Sequence, residues 1–247
     1  MDHYRIFSEL HNQSRPLVIA NAWNVRSAQI VEQNGFDAIG TSSGAIAESL
    51  GYSDGEKIPF PELLYLVSRI RSCTSLPLSV DFERGYTNDM SALCDNVQKL
   101  IDAGVVGINL EDAQGEEIYL KKLSSIRNYL EKHSQQLFIN ARTDAFLQKL
   151  PSPLETTLRR AERYRQVGAD GLFVTAMPDG ETLKQITRAT PLPVNVVCTP
   201  IFPTVGHLAE CGVRRISMAV FSYRATYKNF DALVKRVHTD GDFTSFF

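Results

Sequence analysis

Short apolar segments alternate with amphipathic segments along the whole chain. The apolar segments are short and bounded by turn residues, which is typical of strands buried on both faces. The amphipathic segments carry apolar residues three or four positions apart, which predicts helices. The pattern predicts eight strand–helix units, with strands over residues 16–20, 36–41, 78–82, 106–111, 137–142, 171–175, 193–198 and 215–220.

The predicted helices repeat a common ending. Four of them stop at a glycine that leads into the next strand, namely Gly35, Gly104, Gly168 and Gly212. Glycine at this position supplies the left-handed turn that ends a helix. Eight such units in 247 residues predict one (β/α)8 TIM barrel over residues 1–247. The other fold considered, a doubly wound open sheet, lacks its usual glycine-rich nucleotide fingerprints here.

The predicted helices cover residues 2–12, 25–33, 61–72, 89–103, 118–133, 153–167, 180–189, 204–211 and 223–238. Between the second strand and the third helix lies a Gly- and Ser-rich segment, residues 42–61, that is predicted to be a long loop.

Composition excludes several classes of function. The net charge of −2 gives no electrostatic footprint for nucleic acid or for a membrane surface. No apolar run reaches the roughly 20 residues that a bilayer span needs, and the N-terminus has no apolar signal core. The four cysteines are scattered without metal or redox spacing. We therefore expect a cytoplasmic protein with reduced thiols.

Charged residues follow three neighbouring strands at the point where each strand ends. Asp81 and Glu83 follow the third strand, Glu111 the fourth and Arg142 the fifth. The carboxyl ends of barrel strands meet at one face, so these side chains are expected to converge there with Asp54, Asp112 and Asp144. Converging carboxylates are tolerated around a cation. Oxygen ligands without histidine favour Mg2+ or Mn2+ over zinc. The alternative is that some of these acids pair with Arg84, with Arg142 or with helix N-termini.

Two further features suit an anionic ligand. The guanidinium of Arg142 has the geometry to hold a carboxylate or a phosphonate in bidentate fashion; the alternative is an ion pair with Glu111 or Asp144. Ser43 and Gly44 follow the second strand, where backbone N–H groups and a hydroxyl suit an oxyanion. This second signal is weak alone, because Ser and Gly fill most loops.

The ordered motifs resemble those of the isocitrate lyase/phosphoenolpyruvate mutase superfamily, over nearly the whole chain. The segments that carry the resemblance are Ser43-Gly44, residues 50–54 (LGYSD), residues 81–86 (DFERGY), residues 110–112 (LED), residues 141–146 (ARTDAF) and residues 168–171 (GADG). The resemblance implies a barrel that binds Mg2+ and a 2-oxo acid or its enolate. It also implies homodimers or homotetramers.

The resemblance assigns roles to individual residues. Asp81 would hold the metal, with Glu83 and Glu111 helping, partly through water. Ser43 and Gly44 would grip the substrate carboxylate, and Arg142 a second anionic group. Asp54 would lie near the reacting centre as a catalytic residue, together with Arg142.

The chain departs from the superfamily pattern in two places. Glu83 stands where an Asp is usual. The loop after the fourth strand, residues 113–119 (AQGEEIY), contains neither the Lys and Cys typical of isocitrate and methylisocitrate lyases nor the Lys and Asn of phosphoenolpyruvate mutase. The chain thus resembles a short-loop branch. Substitute acid/base groups are sought in Tyr52 above all, then in Tyr86, Glu116, Glu117 and Cys198, the last being more in keeping with an inert buried thiol.

These observations predict an enzyme, a Mg2+-dependent lyase. Its substrate would be a small 2-oxo acid or an adduct of one, with C–C cleavage through a metal-stabilised enolpyruvate. The first alternative is a phosphoenolpyruvate/phosphonopyruvate P–C mutase or hydrolase, from which the loop lysine is missing. The second is a barrel that binds an oxo acid without turning it over.

Overall fold

The computed structural model describes residues 2–247. Eight parallel strands pair in chain order, and β8 closes onto β1, so the sheet is a complete barrel. The strands are β1 (Leu17–Ala22), β2 (Ile39–Thr41), β3 (Leu78–Asp81), β4 (Gly107–Glu111), β5 (Phe138–Thr143), β6 (Gly171–Val174), β7 (Val194–Val197) and β8 (Arg215–Ser217).

Helices surround this barrel. They are α1 (His3–Leu10), α2 (Val25–Gln33), α3 (Ser43–Ser49), α4 (Phe60–Arg71), α5 (Met90–Asp102), α6 (Glu116–Lys132), α7 (Pro153–Val167), α8 (Gly180–Ala189), α9 (Val205–Glu210) and α10 (Phe221–Asp240), followed by a 3-10 turn, Thr244–Phe246. Within residues 2–247, none of these helices combines the length and the apolar character that crossing a membrane requires.

The predicted barrel is confirmed, and the four predicted glycine caps all have positive φ, from 74° to 102°. Several boundaries differ by a few residues, and two of the differences have a clear local cause. The segment predicted as a loop after β2 contains α3, because the Ser42 hydroxyl accepts the Ala45 N–H and caps a new helix there. Strand β8 ends at Ser217 rather than near residue 220, since the chain turns at Ala219, which has φ 47°.

The centre of the barrel contains a polar network among otherwise apolar layers. Arg215 is 2% exposed, and its Nη2 donates to Ser79 Oγ (3.3 Å) and Asn109 Oδ1 (3.2 Å). Asn140 Nδ2 donates to Asn109 and also to Asn195 at 2.9 Å. Burial lowers the pKa of Arg215 to about 9, with the charge of Asp81 opposing that shift. Arg215 thus remains a cation at neutral pH, underneath the carboxyl ends of the strands.

Candidate active site

A cavity of about 380 Å³ opens at the carboxyl ends of the strands. Five of the residues predicted from the sequence line it: Ser43, Gly44, Asp54, Asp81 and Arg142. A cavity of about 450 Å³ lies at the opposite end of the barrel, around His11 and Arg188, and none of the predicted site residues lines it. The convergence expected from the strand ends therefore occurs at the face of a (β/α)8 barrel where active sites generally lie.

Asp81 is the last residue of β3, and two groups of Ser43, the first residue of α3, donate to it. Its Oδ2 accepts the Ser43 hydroxyl at 2.8 Å and the Ser43 N–H at 3.3 Å. The Ser43 hydroxyl also lies 3.5 Å from Asp54 Oδ1. A Cβ at Gly44 would come within 3.1 Å of Asp54 Oδ2, so a larger residue there would require the Asp54 side chain to shift. Burial raises the pKa of Asp81, with Arg142 and Ser43 opposing it.

Glu83 is held in the turn after β3. The hydroxyl of Tyr86 donates to Glu83 Oε1 at 2.8 Å. The backbone of Glu83 is left-handed, with φ 48°, a conformation that costs energy in a residue other than glycine. Burial and the neighbouring charge of Asp81 raise the pKa of Glu83 to about 7, against the Tyr86 hydrogen bond. The turn therefore stores strain in order to bring a second carboxyl group beside Asp81.

The same turn depends on Gly85, which has φ 95° and where a Cβ would collide with Leu93. We expect Gly85→Ala to lower the free energy of unfolding by about 2–4 kcal/mol, from backbone strain plus overpacking. The matched control is Gly55→Ala, at φ 89° with open space around it, which should cost only the strain of about 1 kcal/mol. Urea unfolding of both variants measures the difference, and equal losses would contradict the steric argument.

Arg142 is bound by two acids. Its Nη1 lies 2.9 Å from Glu111 Oε2, and Nε and Nη2 donate to the two oxygens of Asp144 at 2.8 and 3.1 Å. The ion pairs that the sequence left open as an alternative are thus present. Burial raises the pKa of Glu111 to about 8; Arg142 opposes the shift, while Asp81, Asp144 and Glu83 add to it.

The donor set fits a hard divalent cation. Asp81 Oδ1 is buried and has no hydrogen-bond partner, so a carboxylate oxygen is left for another ligand. Within residues 2–247, no three acidic, His or Cys side chains are close enough to hold an ion by direct ligation alone. Mg2+ usually keeps several waters and takes one or two carboxylates. The arrangement is consistent with Asp81 as a direct ligand and with Glu83 and Glu111 acting through water.

We expect cation affinity at this site to rise with pH between about 6 and about 8.5. Glu83, with a pKa of about 7, and Glu111, with a pKa of about 8, must lose their protons to attract a cation. In the metal-free protein the same two groups make stability fall as pH rises from about 4.5 to about 8, because the folded state retains protons that the unfolded chain has lost.

Calorimetric titration of Mg2+ at pH 6, 7 and 8.5 measures this dependence. A variant carrying both Glu83→Gln and Glu111→Gln is the control, and its affinity should vary less with pH. An affinity that stays constant in the unchanged protein would contradict the expectation.

The loop after β4 is short, and hydrogen bonds and ion pairs hold its side chains in place. Asp112 is 1% exposed and accepts from Arg160 Nη1 (2.6 Å), from the Tyr164 hydroxyl (2.7 Å) and from the Asp144 N–H (2.9 Å). Glu116 accepts from Arg159 and Arg163, both at 2.6 Å. The expectation that Glu116 or Glu117 swings into the site is not met by this arrangement, because the arginines of α7 hold both side chains away from the cavity.

Glu83 and Glu111 do not line the cavity, and neither does Tyr52. Its hydroxyl donates to Glu62 on α4 at 3.0 Å, and it is absent from the cavity lining. Cys198 is half-buried, does not line the cavity, and has its pKa raised by burial, in keeping with an inert thiol. The sequence reasoning missed Asn109 and Ser217, which also line the cavity. A polar residue inside an apolar strand was the available signal.

Comparison with known proteins identifies the family. A family model described as phosphoenolpyruvate phosphomutase matches residues 7–238. The chain belongs to the phosphoenolpyruvate phosphomutase family. This family assignment agrees with the superfamily resemblance seen in the motifs, and the enzymes among the chain's relatives include lyases.

Three members of the phosphoenolpyruvate mutase/isocitrate lyase superfamily illustrate the range. A Burkholderia cenocepacia J2315 protein, provisionally assigned as a phosphonomutase, is 34% identical with a TM-score of 0.90, over 95% of this chain and 100% of its own. The 2-methylisocitrate lyase of Escherichia coli is 28% identical over 239 residues, 90% of this chain and 78% of the enzyme. A phosphonopyruvate hydrolase complex with oxalate and Mg2+ shares the fold (TM-score 0.87, 20% identity, 99% and 90% coverage).

Proposed function

We propose that the protein is a Mg2+-dependent lyase that cleaves a C–C bond in a small 2-oxo acid or its adduct, by way of an enolpyruvate. The observation that carries the proposal is the buried Oδ1 of Asp81, which has no hydrogen-bond partner and belongs to a residue that lines the cavity at the carboxyl end of the barrel. Mg2+ bound there would supply electrostatic stabilisation for the negative charge that develops on the enolate oxygen.

Residues of the chain itself would bind the substrate and transfer the proton. Ser43 and Gly44 line the cavity beside Asp81, and a substrate carboxylate would bind there by taking over the Ser43 hydroxyl and N–H that Asp81 Oδ2 accepts in the ligand-free protein. Asp54 lines the cavity and forms no ion pair among the described residues, so we assign it the proton transfer. Arg142 lines the same wall and supplies positive charge. Tyr52 is given no part, since its hydroxyl is engaged by Glu62.

The fixed loop after β4 bears on the choice among related reactions. It contributes no Lys, Cys or free acid to the cavity, so the protonation chemistry expected of the longer-looped relatives would have no group there. Phosphonopyruvate turnover is kept as the second candidate, because the Burkholderia relative, which matches nearly the whole chain, is provisionally assigned as a phosphonomutase.

The experiment is a turnover screen of the purified protein with Mg2+. Release of a 2-oxo acid is followed from malate-type and 4-hydroxy-2-oxo substrates, and release of phosphate from phosphonopyruvate. Asp54→Asn is the control variant, because it removes the proposed proton-transfer group and keeps Asp81. C–C cleavage that depends on Asp54 supports the lyase. Phosphate release alone favours the second candidate. Tight Mg2+–oxalate binding without any turnover would leave a binding protein.

We also propose that the protein forms homodimers or homotetramers through α10. This helix carries an apolar stripe, Tyr227, Phe230 and Val234, that is 44–55% exposed. Single exposed apolar residues are ordinary, but a row at helical spacing is typical of an interface. Phe230→Glu is expected to lower the mass measured by light scattering to that of one chain. Lys228→Glu changes a charge on the same helix outside the stripe and is the control, in which the mass should stay unchanged. An unchanged mass in Phe230→Glu would contradict the interface.

A further inference from the structure

The cavity has two chemically different walls. The ends of β2 to β5 and their loops contribute the polar wall, with Ser43, Asp54, Asp81, Asn109 and Arg142. The opposite wall comes from β6 to β8 and from the turn after β5. Its apolar surface is formed by Leu147, Phe173, Val197, Val220 and Phe221. A ligand that fills the cavity must therefore present different chemistry to each side.

Positive charge is scarce in this cavity. Arg142 is the one cationic side chain among the described residues that line it. The N–H groups of its guanidinium are already engaged, by Glu111 at 2.9 Å and by Asp144 in bidentate fashion. The guanidinium also lies 5.9 Å from the centre of the Phe173 ring. A second carboxylate or a phosphonate on the ligand would find no free cation, and burying an unpaired charge is costly.

The polar groups on the apolar side are mostly engaged. Thr175 donates its hydroxyl to Asp144 Oδ1 at 2.7 Å. Thr199 Oγ1 is the exception, since it is buried without a partner. The backbone beside this wall is also strained, because Ala176 and Ala219 line the cavity with φ 54° and 47°. Strain of this kind is typical of functional sites. The small side chains of the two alanines take up little of the cavity.

We infer that the substrate is a 2-oxo acid, or an adduct of one, with a single carboxylate at its metal end and an alkyl or aryl group at the other. The inference rests on the proposed function and specifies its substrate class. The carboxylate and oxo group meet the wall of Asp81 and Ser43. The apolar group packs on Leu147, Phe173 and Phe221, and one polar substituent reaches Thr199. Dicarboxylates and tricarboxylates are poor ligands, because the apolar wall offers their second charge no partner.

The test compares ligands of graded shape by calorimetry, with Mg2+ present. Oxalate measures the metal end alone. Pyruvate, 2-oxobutanoate, 2-oxopentanoate and 4-methyl-2-oxopentanoate add apolar carbons, and 2-oxoglutarate adds a second carboxylate. Affinity should rise on the order of threefold for each added methylene. 2-Oxoglutarate should bind at least about tenfold more weakly than 4-methyl-2-oxopentanoate.

Leu147→Lys sharpens the test, because Leu147 is 51% exposed at the rim and a lysine there should be accommodated. The variant should reverse the preference in favour of 2-oxoglutarate. Tyr65→Lys adds the same charge on the outer face of α4, where Tyr65 is 67% exposed, and should leave the order of ligands unchanged.

The outcomes distinguish a failure of the substrate class from a failure of the proposed function. If oxalate binds and 2-oxoglutarate outcompetes the alkyl series in the unchanged protein, the substrate class is overturned and the proposed function stands. If affinity does not depend on alkyl length, the apolar wall is not a binding surface and the inference is likewise overturned. If no oxo acid and no oxalate binds with Mg2+, both the proposed function and the inference are overturned.

Discussion

Asp81→Ala is expected to abolish Mg2+-dependent binding of oxalate and all turnover. Asp81 supplies the one carboxylate oxygen in the cavity lining that is both buried and unpartnered, so it is the position from which a cation would be bound directly. Loss of an outer-shell partner costs metal sites roughly 10–100-fold in affinity, and loss of a direct ligand should exceed that. Calorimetry of oxalate with and without Mg2+ measures the effect.

The fold should survive this change. Burial raises the pKa of Asp81, which means that the folded state tolerates its charge poorly. The isosteric variant Asp81→Asn should therefore unfold at the same temperature as the unchanged protein or above it, while losing Mg2+ binding as completely as Asp81→Ala. Asp54→Asn is the matched control, expected to keep Mg2+–oxalate binding and to lose turnover. Full Mg2+ binding in Asp81→Asn would remove Asp81 from the site.

The strand ends were the predictable part of this molecule. An apolar strand followed by a helix and a glycine cap recurs along the chain, and eight such units predict a closed barrel. In a barrel, the ends of neighbouring strands must meet. The register places Asp81 opposite Asn109 and Glu111 opposite Arg142, so sequence order alone was enough to bring Asp81, Glu111 and Arg142 together.

The direction of each side chain was not predictable from the same pattern. Asp112 follows Glu111 directly and is also an acid, yet its carboxylate accepts a hydrogen bond from Arg160, 48 residues along the chain, and it does not line the cavity. Asp144 likewise serves to hold Arg142. Arg160 is distant from Asp112 in sequence, and the nearness of Arg142 to Asp144 along the chain does not show which way that carboxylate points. Only tertiary packing therefore distinguishes a site carboxylate from a structural one. Tyr52 shows the converse, since its nearness to Asp54 along the chain does not bring its hydroxyl into the cavity.

Removing one partner of the buried pair Asp112–Arg160 is expected to be the most destabilising single change near the site. The two side chains are 0% and 6% exposed, and Asp112 also binds Tyr164 and the Asp144 N–H. Asp112→Ala leaves the Arg160 charge buried without its partner, which typically costs 3–5 kcal/mol. For a chain of this length, that corresponds to a fall in melting temperature on the order of 10 °C. Thermal unfolding followed by circular dichroism measures the loss.

Two further variants separate charge burial from packing. Asp112→Leu combined with Arg160→Met removes both charges and should recover much of the stability lost in Asp112→Ala, because well-packed apolar residues replace buried ion pairs at little cost. Lys235→Ala removes an exposed pair with Asp231 and should change nothing measurable. The double variant should still bind Mg2+–oxalate less well than the unchanged protein. Asp112 accepts the Asp144 N–H and so fixes Asp144, and Asp144 in turn orients Arg142. A loss below about 1 kcal/mol in Asp112→Ala would show that Arg160 finds another partner, Glu116 at 3.5 Å being the nearest acid.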